Sequence, residues 1–192
     1  MNFVHLHNHT CYSLLDGLPQ LEELVDHAKQ EGAGAVAITD HGVMYGVVDF
    51  YKKCKKEGVK PILGMEAYIT PGSRFDKSGA EDKKNYHLLL LAKNNQGYQN
   101  LIQLCTTAHL EGFYYKPRLD WEILQQYSEG LIATTACLGG EIPQLILSDQ
   151  TEKAKERIKE YNELFGQDHF YLELQHHPEI EEQEPVNNTL IE

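Results

Sequence analysis

Three histidines at alternate positions, His5, His7 and His9, open the chain in the run His5-Leu6-His7-Asn8-His9. In an extended strand, residues two apart face the same side, so the run predicts a row of imidazoles on one face. Neutral imidazole is the commonest protein ligand for zinc-like ions. The row carries little alone, and gains weight from ligand-type residues downstream: Asp16, the pair Asp40-His41, Glu66, His87 and Cys137. Each also has an ordinary reading. Asp40 or His41 fits a helix cap or a loop hydrogen bonder, Glu66 a strand-end charge, and Cys137 a small buried hydrophobe. Gathered in one place, they would crowd imidazoles and carboxylates that lack partners, a conflict that metal ions resolve. Imidazole with one thiolate favours zinc, iron or manganese over magnesium.

Elsewhere the segment Phe113-Tyr114-Tyr115-Lys116-Pro117-Arg118 sets aromatics beside two cations. Tyr115, Lys116 and Arg118 there suit the stacking of bases and the holding of phosphate, with an ordinary packed loop as the equal alternative. His176-His177 fits either the rim or a solvated turn, and His27, His109 and His169 show no ligand spacing and read as structural.

Short apolar runs alternate with helical periods, and these elements must position the candidates. Strands are predicted at Phe3 to Leu6, Ala35 to Thr39, Pro61 to Ile69, His87 to Ala92, Leu131 to Thr135 and Phe170 to Leu174. Between them lie the stripes Leu21-Leu24-Val25-Ala28, Val47-Phe50-Tyr51-Cys54, Tyr98-Leu101-Ile102-Cys105 and Ala154-Ile158-Tyr161-Phe165. A further helix starts near Pro185, and the polar stretch Thr70 to Asn85 is a surface loop. Strict alternation predicts a parallel sheet covered by helices, a TIM-type α/β barrel first and an open doubly wound sheet second. In such barrels the chemistry sits where strands end, the place of His7, His9, Asp40, His41 and Cys137. Asp16 sits in the loop after the first strand, free to fold back over that rim, and Glu66 lies well along the third. His87 does not fit: at the beginning of its strand it belongs on the opposite rim. No glycine-rich nucleotide loop is present.

The motifs HLHNHTCYSLLDG, ITDHG, ILGMEAYI, HLLLLAKNNQGYQNL, EGFYYKPRLDW and TTACLGGE follow in order from Phe3 to about His176. Together they resemble the N-terminal PHP (polymerase and histidinol phosphatase) domain of bacterial DNA polymerase III alpha subunits. The resemblance implies a distorted seven-stranded β/α barrel with up to three divalent metal ions, whether zinc, manganese or iron. His7, His9 and Glu66 would hold one, Glu66, His87 and Cys137 a second, and Asp16 and His41 a third. His5 would not be a ligand, and Asp40 is a candidate for orienting an imidazole from behind. The implied activity is that of a metal-dependent phosphoesterase of 3′–5′ exonuclease type. The alternative is a non-catalytic module supporting the polymerase; a free-standing histidinol-phosphate hydrolase is disfavoured by the polymerase-type segments. Implied partners are DNA, reached through the full polymerase, the other polymerase domains and replisome subunits. The family's seventh strand carries an Asp-x-His motif that is not found here. Residues 1–192 are therefore expected to be a PHP domain lacking the end of its barrel.

Composition sets the outer bounds. With 192 residues and 41% hydrophobic content, the chain can bury the core of one domain. Its 17 basic against 29 acidic residues give a net charge of −12, poor for wrapping nucleic acid unaided and well suited to collecting divalent cations. The four cysteines lack CxxC spacing, so free thiols in a reducing cytosol are expected. No leader-like or membrane-spanning run is apparent, and a cytoplasmic chain is expected.

Overall fold

The computed structural model describes residues 3–14 and 16–192. Its helices and strands, in order, are α1 (Leu21–Gln30), β1 (Ala35–Ile38), α2 (Val47–Glu57), β2 (Lys60–Ile69), β3 (Tyr86–Ala92), α3 (Asn95–Leu110), β4 (Arg118–Leu119), α4 (Trp121–Tyr127), β5 (Leu131–Thr134), α5 (Glu141–Leu147), α6 (Thr151–Phe165), β6 (Phe170–Tyr171) and α7 (Gln183–Ile191). Most of the predicted apolar stripes lie on the buried faces of α1, α2, α3 and α6, with Val25, Phe50, Cys54, Leu101, Ala154 and Tyr161 inside, whereas Tyr51 and Ile102 at the stripe edges are exposed. No helix among the described residues is long and apolar enough to cross a membrane.

The sheet order is β1-β2-β3-β5-β6, with β4 beside the far end of β2. β1 and β4 pair parallel with β2, and β6 parallel with β5. β3 alone is reversed, antiparallel to both β2 and β5. The all-parallel sheet expected from the alternation is thus corrected to a mixed one. The reason is the connection: the long loop of residues 70–85 carries no crossover helix, so β2 and β3 pair as neighbours in a wide hairpin.

Strand side chains alternate between two environments. Val36 and Ile38 pack with α1 and α2, while Leu88, Leu90 and Ala133 pack with α3 to α7. On the opposite face Ala37, Leu89, Leu91 and Ala136 form a small inner cluster with Ile62 and Ile132. A sheet buried on both faces explains why its strands read as unbroken apolar runs. The two ends of the sheet meet at one rim, where His7 Nδ1 lies 2.7 Å from Glu173 Oε1, just after β6. Away from that contact they part around a largely apolar cavity of about 870 Å³, lined by Leu6, Ile62, Leu91, Ile132 and Tyr171 among others.

The first predicted strand is present only as an irregular extended segment. Ala37 N–H donates to the His5 carbonyl (3.1 Å), yet Thr39 N–H donates to that of Asn8 (3.0 Å). Two residues on β1 thus face three on the N-terminal segment, a bulge of one residue. The Asn8 carboxamide fills it, donating from Nδ2 to the carbonyls of His5 and Ala37, both at 3.1 Å. The sixth strand is likewise shorter than predicted, since beyond Tyr171 the Thr135 hydroxyl replaces the ladder and accepts from Glu173 N–H at 2.9 Å.

Candidate metal centre

Glu66 sits towards the end of β2, with its carboxylate on the inner face and its side chain only 1% exposed. Imidazoles surround it. His7 Nε2 lies 3.2 Å and His9 Nε2 3.3 Å away, His41 Nδ1 2.7 Å and His87 Nδ1 3.0 Å. His41 follows β1 and is bridged to Glu66 through the backbone, with Gly42 N–H donating to the Glu66 carbonyl at 2.8 Å. Asp16, on the loop after the N-terminal segment, closes over the outer side, 2.8 Å from His41 Nε2 and 3.9 Å from His9 Nε2. Cys137 Sγ completes the inner side at 3.3 Å from His87 Nδ1 and 3.7 Å from Glu66 Oε1. The turn that presents it holds Ala136 in the left-handed region (φ 55°), a conformation that costs free energy and is retained where the surroundings demand it.

His87 therefore stands with the others despite opening its strand. Because β3 runs against its neighbours, its first residues lie at the rim where the parallel strands end; Tyr68, near the end of β2, is the register partner of His87. The expectation of an opposite rim is corrected by that reversal. His5, by contrast, is exposed and packs edge-on against Phe3, with ring centroids 4.8 Å apart. The bulge at Asn8 breaks the alternation between His5 and the pair His7 and His9, so the predicted single row of three imidazoles is not formed.

The polar support behind these ligands went largely unpredicted. Glu173 accepts from His7 Nδ1 and from the Thr134 hydroxyl, and Gln175 Nε2 donates to Glu173 at 2.7 Å. A carboxylate on the far nitrogen fixes both the tautomer and the direction of an imidazole ligand. Its signal in the sequence was a lone acid within the apolar run Phe170 to Leu174. Asp40 is buried and touches no imidazole directly. Its carboxylate accepts from Thr10 N–H (2.6 Å), the Thr10 hydroxyl (2.8 Å) and the Ser13 hydroxyl (2.6 Å). Ser13 Oγ in turn lies 3.4 Å from His9 Nδ1. Ser13 Oγ also accepts from the His41 N–H (3.1 Å), so Asp40 is linked through Ser13 to both His9 and the backbone of His41.

Electrostatics follow from this crowding. Burial disfavours the Glu66 anion, yet His41, His7 and His87 hold its carboxyl far below the usual range. Burial also opposes the His7 cation, but hydrogen bonds to Glu173 and Glu66 raise its pKa to about 10. His87 is raised to about 9 against burial, by Cys137 and Glu66. His9 has no such hydrogen bond; burial lowers it to about 4, with the charges of His41 and His7 acting in the same direction against the attraction of Glu66 and Asp16.

The fit to a metal can be tested on two atoms. His41 Nδ1 and Glu66 Oε2 are buried without a hydrogen-bond partner, although they lie only 2.7 Å apart. Donor atoms of His7, His9 and Glu66, of His9, Asp16 and His41, and of His41, Glu66 and His87 each fall within 4.8 Å of one another. Several imidazoles, two carboxylates and a thiol make a donor set for divalent metal ions of the zinc, iron or manganese kind.

The predicted substrate contacts divide. Tyr115 and Lys116 are exposed; Lys116 Nζ lies 5.2 Å above the ring of Tyr68, which stacks on His41. Arg118 is fully buried, a correction to its reading as a phosphate contact. Its guanidinium donates to the carbonyls of Gly112, Asp82, Arg74 and Asp76 at 2.6 to 2.9 Å, tying down the loop of residues 70–85. His109 Nε2 donates to the Gly42 carbonyl (3.0 Å), and His176 and His177 are exposed outside the cluster.

A buried carboxylate ringed by imidazoles, at the strand ends of an α/β sheet, marks an α/β domain with a candidate divalent-metal site. The chain belongs to the PHP domain family, whose pattern matches residues 5–177. It is 50% identical over 190 residues to the DNA polymerase III subunit alpha of Borreliella burgdorferi, covering 98% of this chain and 16% of that protein. Against the same subunit of Aquifex aeolicus it is 51% identical over 197 residues, covering 100% of this chain and 17% of the relative. The chain thus spans about one-sixth of the length of these relatives. Among solved structures, an amidohydrolase from Chromobacterium violaceum aligns with a TM-score of 0.40 and 20% identity, over 55% of this chain and 32% of that one.

Proposed function

We propose that this chain acts as the PHP module of a bacterial replicative DNA polymerase and hydrolyses phosphodiesters in the 3′–5′ direction with divalent metal ions. The observation that carries it is the convergence of His7, His9, His41 and His87 on Glu66, with two buried donor atoms left unsatisfied. His7, His9 and Glu66 would hold one ion, Glu66, His87 and Cys137 a second, and Asp16 and His41, with His9 at their edge, a third. Zinc, manganese and iron all suit these donors. Such ions, when bound, lower the pKa of water and polarise a phosphoryl oxygen. The residues of the chain do the rest: Glu173 fixes the direction of His7, the Asp40–Ser13 pair that of His9, and Lys116 offers a cation at the rim. The curled sheet is read as part of a seven-stranded barrel of PHP type, the apolar cavity between Leu6 and Tyr171 being the place of the remaining strand. DNA, the other polymerase domains and replisome subunits are the proposed partners, in the cytoplasm.

The test is hydrolysis of a primer with a mispaired 3′ end by a polymerase carrying this module, with metal content measured alongside. His9→Ala should lower hydrolysis by a factor of roughly 10² or more, while primer extension falls less. A wild type that binds metal without hydrolysing, and whose melting temperature drops when the metal is removed, would leave a supporting role for the module.

A further inference from the structure

Aromatic rings line the rim outside the ligand cluster in a continuous row. Tyr12, on the loop that carries His9 and Asp16, meets Tyr45 at 6.3 Å between centroids. Tyr45 meets His109 at 6.4 Å, and His109 meets Phe113 at 6.2 Å. These rings are not core. Tyr12 is 37% exposed, Tyr45 65% and Phe113 51%. The row is pinned to the site by the bond between His109 Nε2 and the carbonyl of Gly42, the residue after His41. Beyond Phe113 the same turn presents Tyr115, 66% exposed, with the Lys83 ammonium 4.4 Å over its ring, and Lys116 follows it above Tyr68.

We propose that this row is a stacking track that leads the unpaired end of a nucleic-acid strand to the metal centre, an inference that rests on the hydrolytic reading above. Two features select this occupant, the ring geometry and the flanking cations, on a chain whose overall charge would otherwise repel it. The ring spacing of 6.2 to 6.4 Å is nearly twice the ~3.4 Å rise of stacked bases in a duplex. With their planes tilted 32 to 73° to one another, successive rings can each meet a base only in a strand whose bases are splayed out of helical stacking. The chain carries a net charge of −12, so affinity for a polyanion has to come from π-faces more than from cations. Lys83, over the Tyr115 ring beyond Phe113, and Lys116, over Tyr68 where it stacks on His41, offer cations to the phosphates of a strand on the row.

The test is equilibrium binding of a fluorescent twelve-nucleotide single-stranded DNA to this chain, read by anisotropy with metal chelated. Tyr45→Ala and Phe113→Ala should each weaken binding roughly ten-fold, Tyr45→Phe should restore it, and the duplex of the same sequence should bind more weakly than the single strand. Affinity should fall only shallowly with salt, as expected where few phosphates are neutralised. Because both positions are exposed, melting temperatures should stay at the wild-type value. Absence of binding by the wild type, equal binding by the alanine variants, or equal affinity for duplex would overturn the track. So would a dimer in sedimentation that Tyr45→Ala dissociates, since the row would then be a protein interface. Manganese-dependent hydrolysis of bis(4-nitrophenyl) phosphate by the wild type tests the underlying reading separately. Its failure beside intact strand binding would overturn the hydrolytic destination while leaving the track itself standing.

Discussion

Replacing Glu173 by glutamine probes whether the support behind His7 matters as its geometry says. Glu173 Oε1 lies 2.7 Å from His7 Nδ1, and the other oxygen accepts from the Thr134 hydroxyl. Glutamine keeps the shape and one acceptor, but removes the charge that keeps a proton on Nδ1 and so leaves Nε2 free for a metal. Loss of such a supporting carboxylate weakens metal binding ~10- to 100-fold, or about 1.4 to 2.7 kcal/mol. Zinc affinity would be measured at pH 8 by competition with a chelator of known strength, for wild type, Glu173→Gln and Glu179→Gln. Glu179 supplies the control: it has the same charge, and its side chain is 71% exposed beside His177 at 3.7 Å, away from the cluster. The reasoning requires a clear loss for Glu173→Gln and none for Glu179→Gln. Equal affinities in all three proteins would refute it. A matching fall in the melting temperature of the metal-free variant would instead place Glu173 in fold maintenance.

Three further outcomes are expected. Arg118→Met removes a buried charge from four backbone carbonyls, and should cost more than about 4 kcal/mol in urea unfolding, the range reserved for broken buried networks; a loss below about 1 kcal/mol would show that the loop holds without it. Asp40→Asn leaves Thr10 and Ser13 with one poorer acceptor, so stability should drop by about 1 to 3 kcal/mol and metal affinity with it, whereas Asp49→Asn, on the exposed face of α2, should change neither. Metal binding should also release protons: His7 and His87, raised to about 10 and about 9, are cationic at pH 7 to 8 without metal, yet must be neutral to ligate. Affinity should therefore rise with pH through that window, and calorimetry in buffers of differing ionisation enthalpy should show net release; zero release would contradict the assignment of both residues.

The clustering of the candidate ligands was legible because their chemistry is local: an imidazole, carboxylate or thiol announces itself, and strand ends in an alternating α/β pattern say where it will stand. Helices were legible for a similar reason, each carrying its buried stripe within a few turns. What was not legible depends on distant partners. Glu173 and His7 lie 166 positions apart, and no spacing rule joins them. Arg118 beside three aromatic residues reads as a phosphate contact until its four carbonyl acceptors are seen, three of them contributed by the loop of residues 70–85. β4, only two residues long, is formed by pairing with the end of β2 and has no period of its own.

The centre is assembled from two departures from a regular parallel sheet, and each supplies ligands that a regular one would misplace. Without the extra residue at Asn8, His5, His7 and His9 would share one face, and the pairing of Thr39 would fall on His7 rather than on Asn8. With it, His7 and His9 reach Glu66 from one side while the Asn8 carboxamide donates to the Ala37 carbonyl and adds a second donor to that of His5. Without the reversal of β3, the position of His87 would lie at the far end of the strand. With it, His87 and Cys137 meet beside the same carboxylate. The wide loop after β2 closes the antiparallel pairing, and Arg118 holds the carbonyls of that loop. A buried arginine distant in sequence from every ligand is thus tied to the position of one of them, and a variant that frees the loop should reach the Glu66–His87–Cys137 side of the site before it reaches His7 and His9.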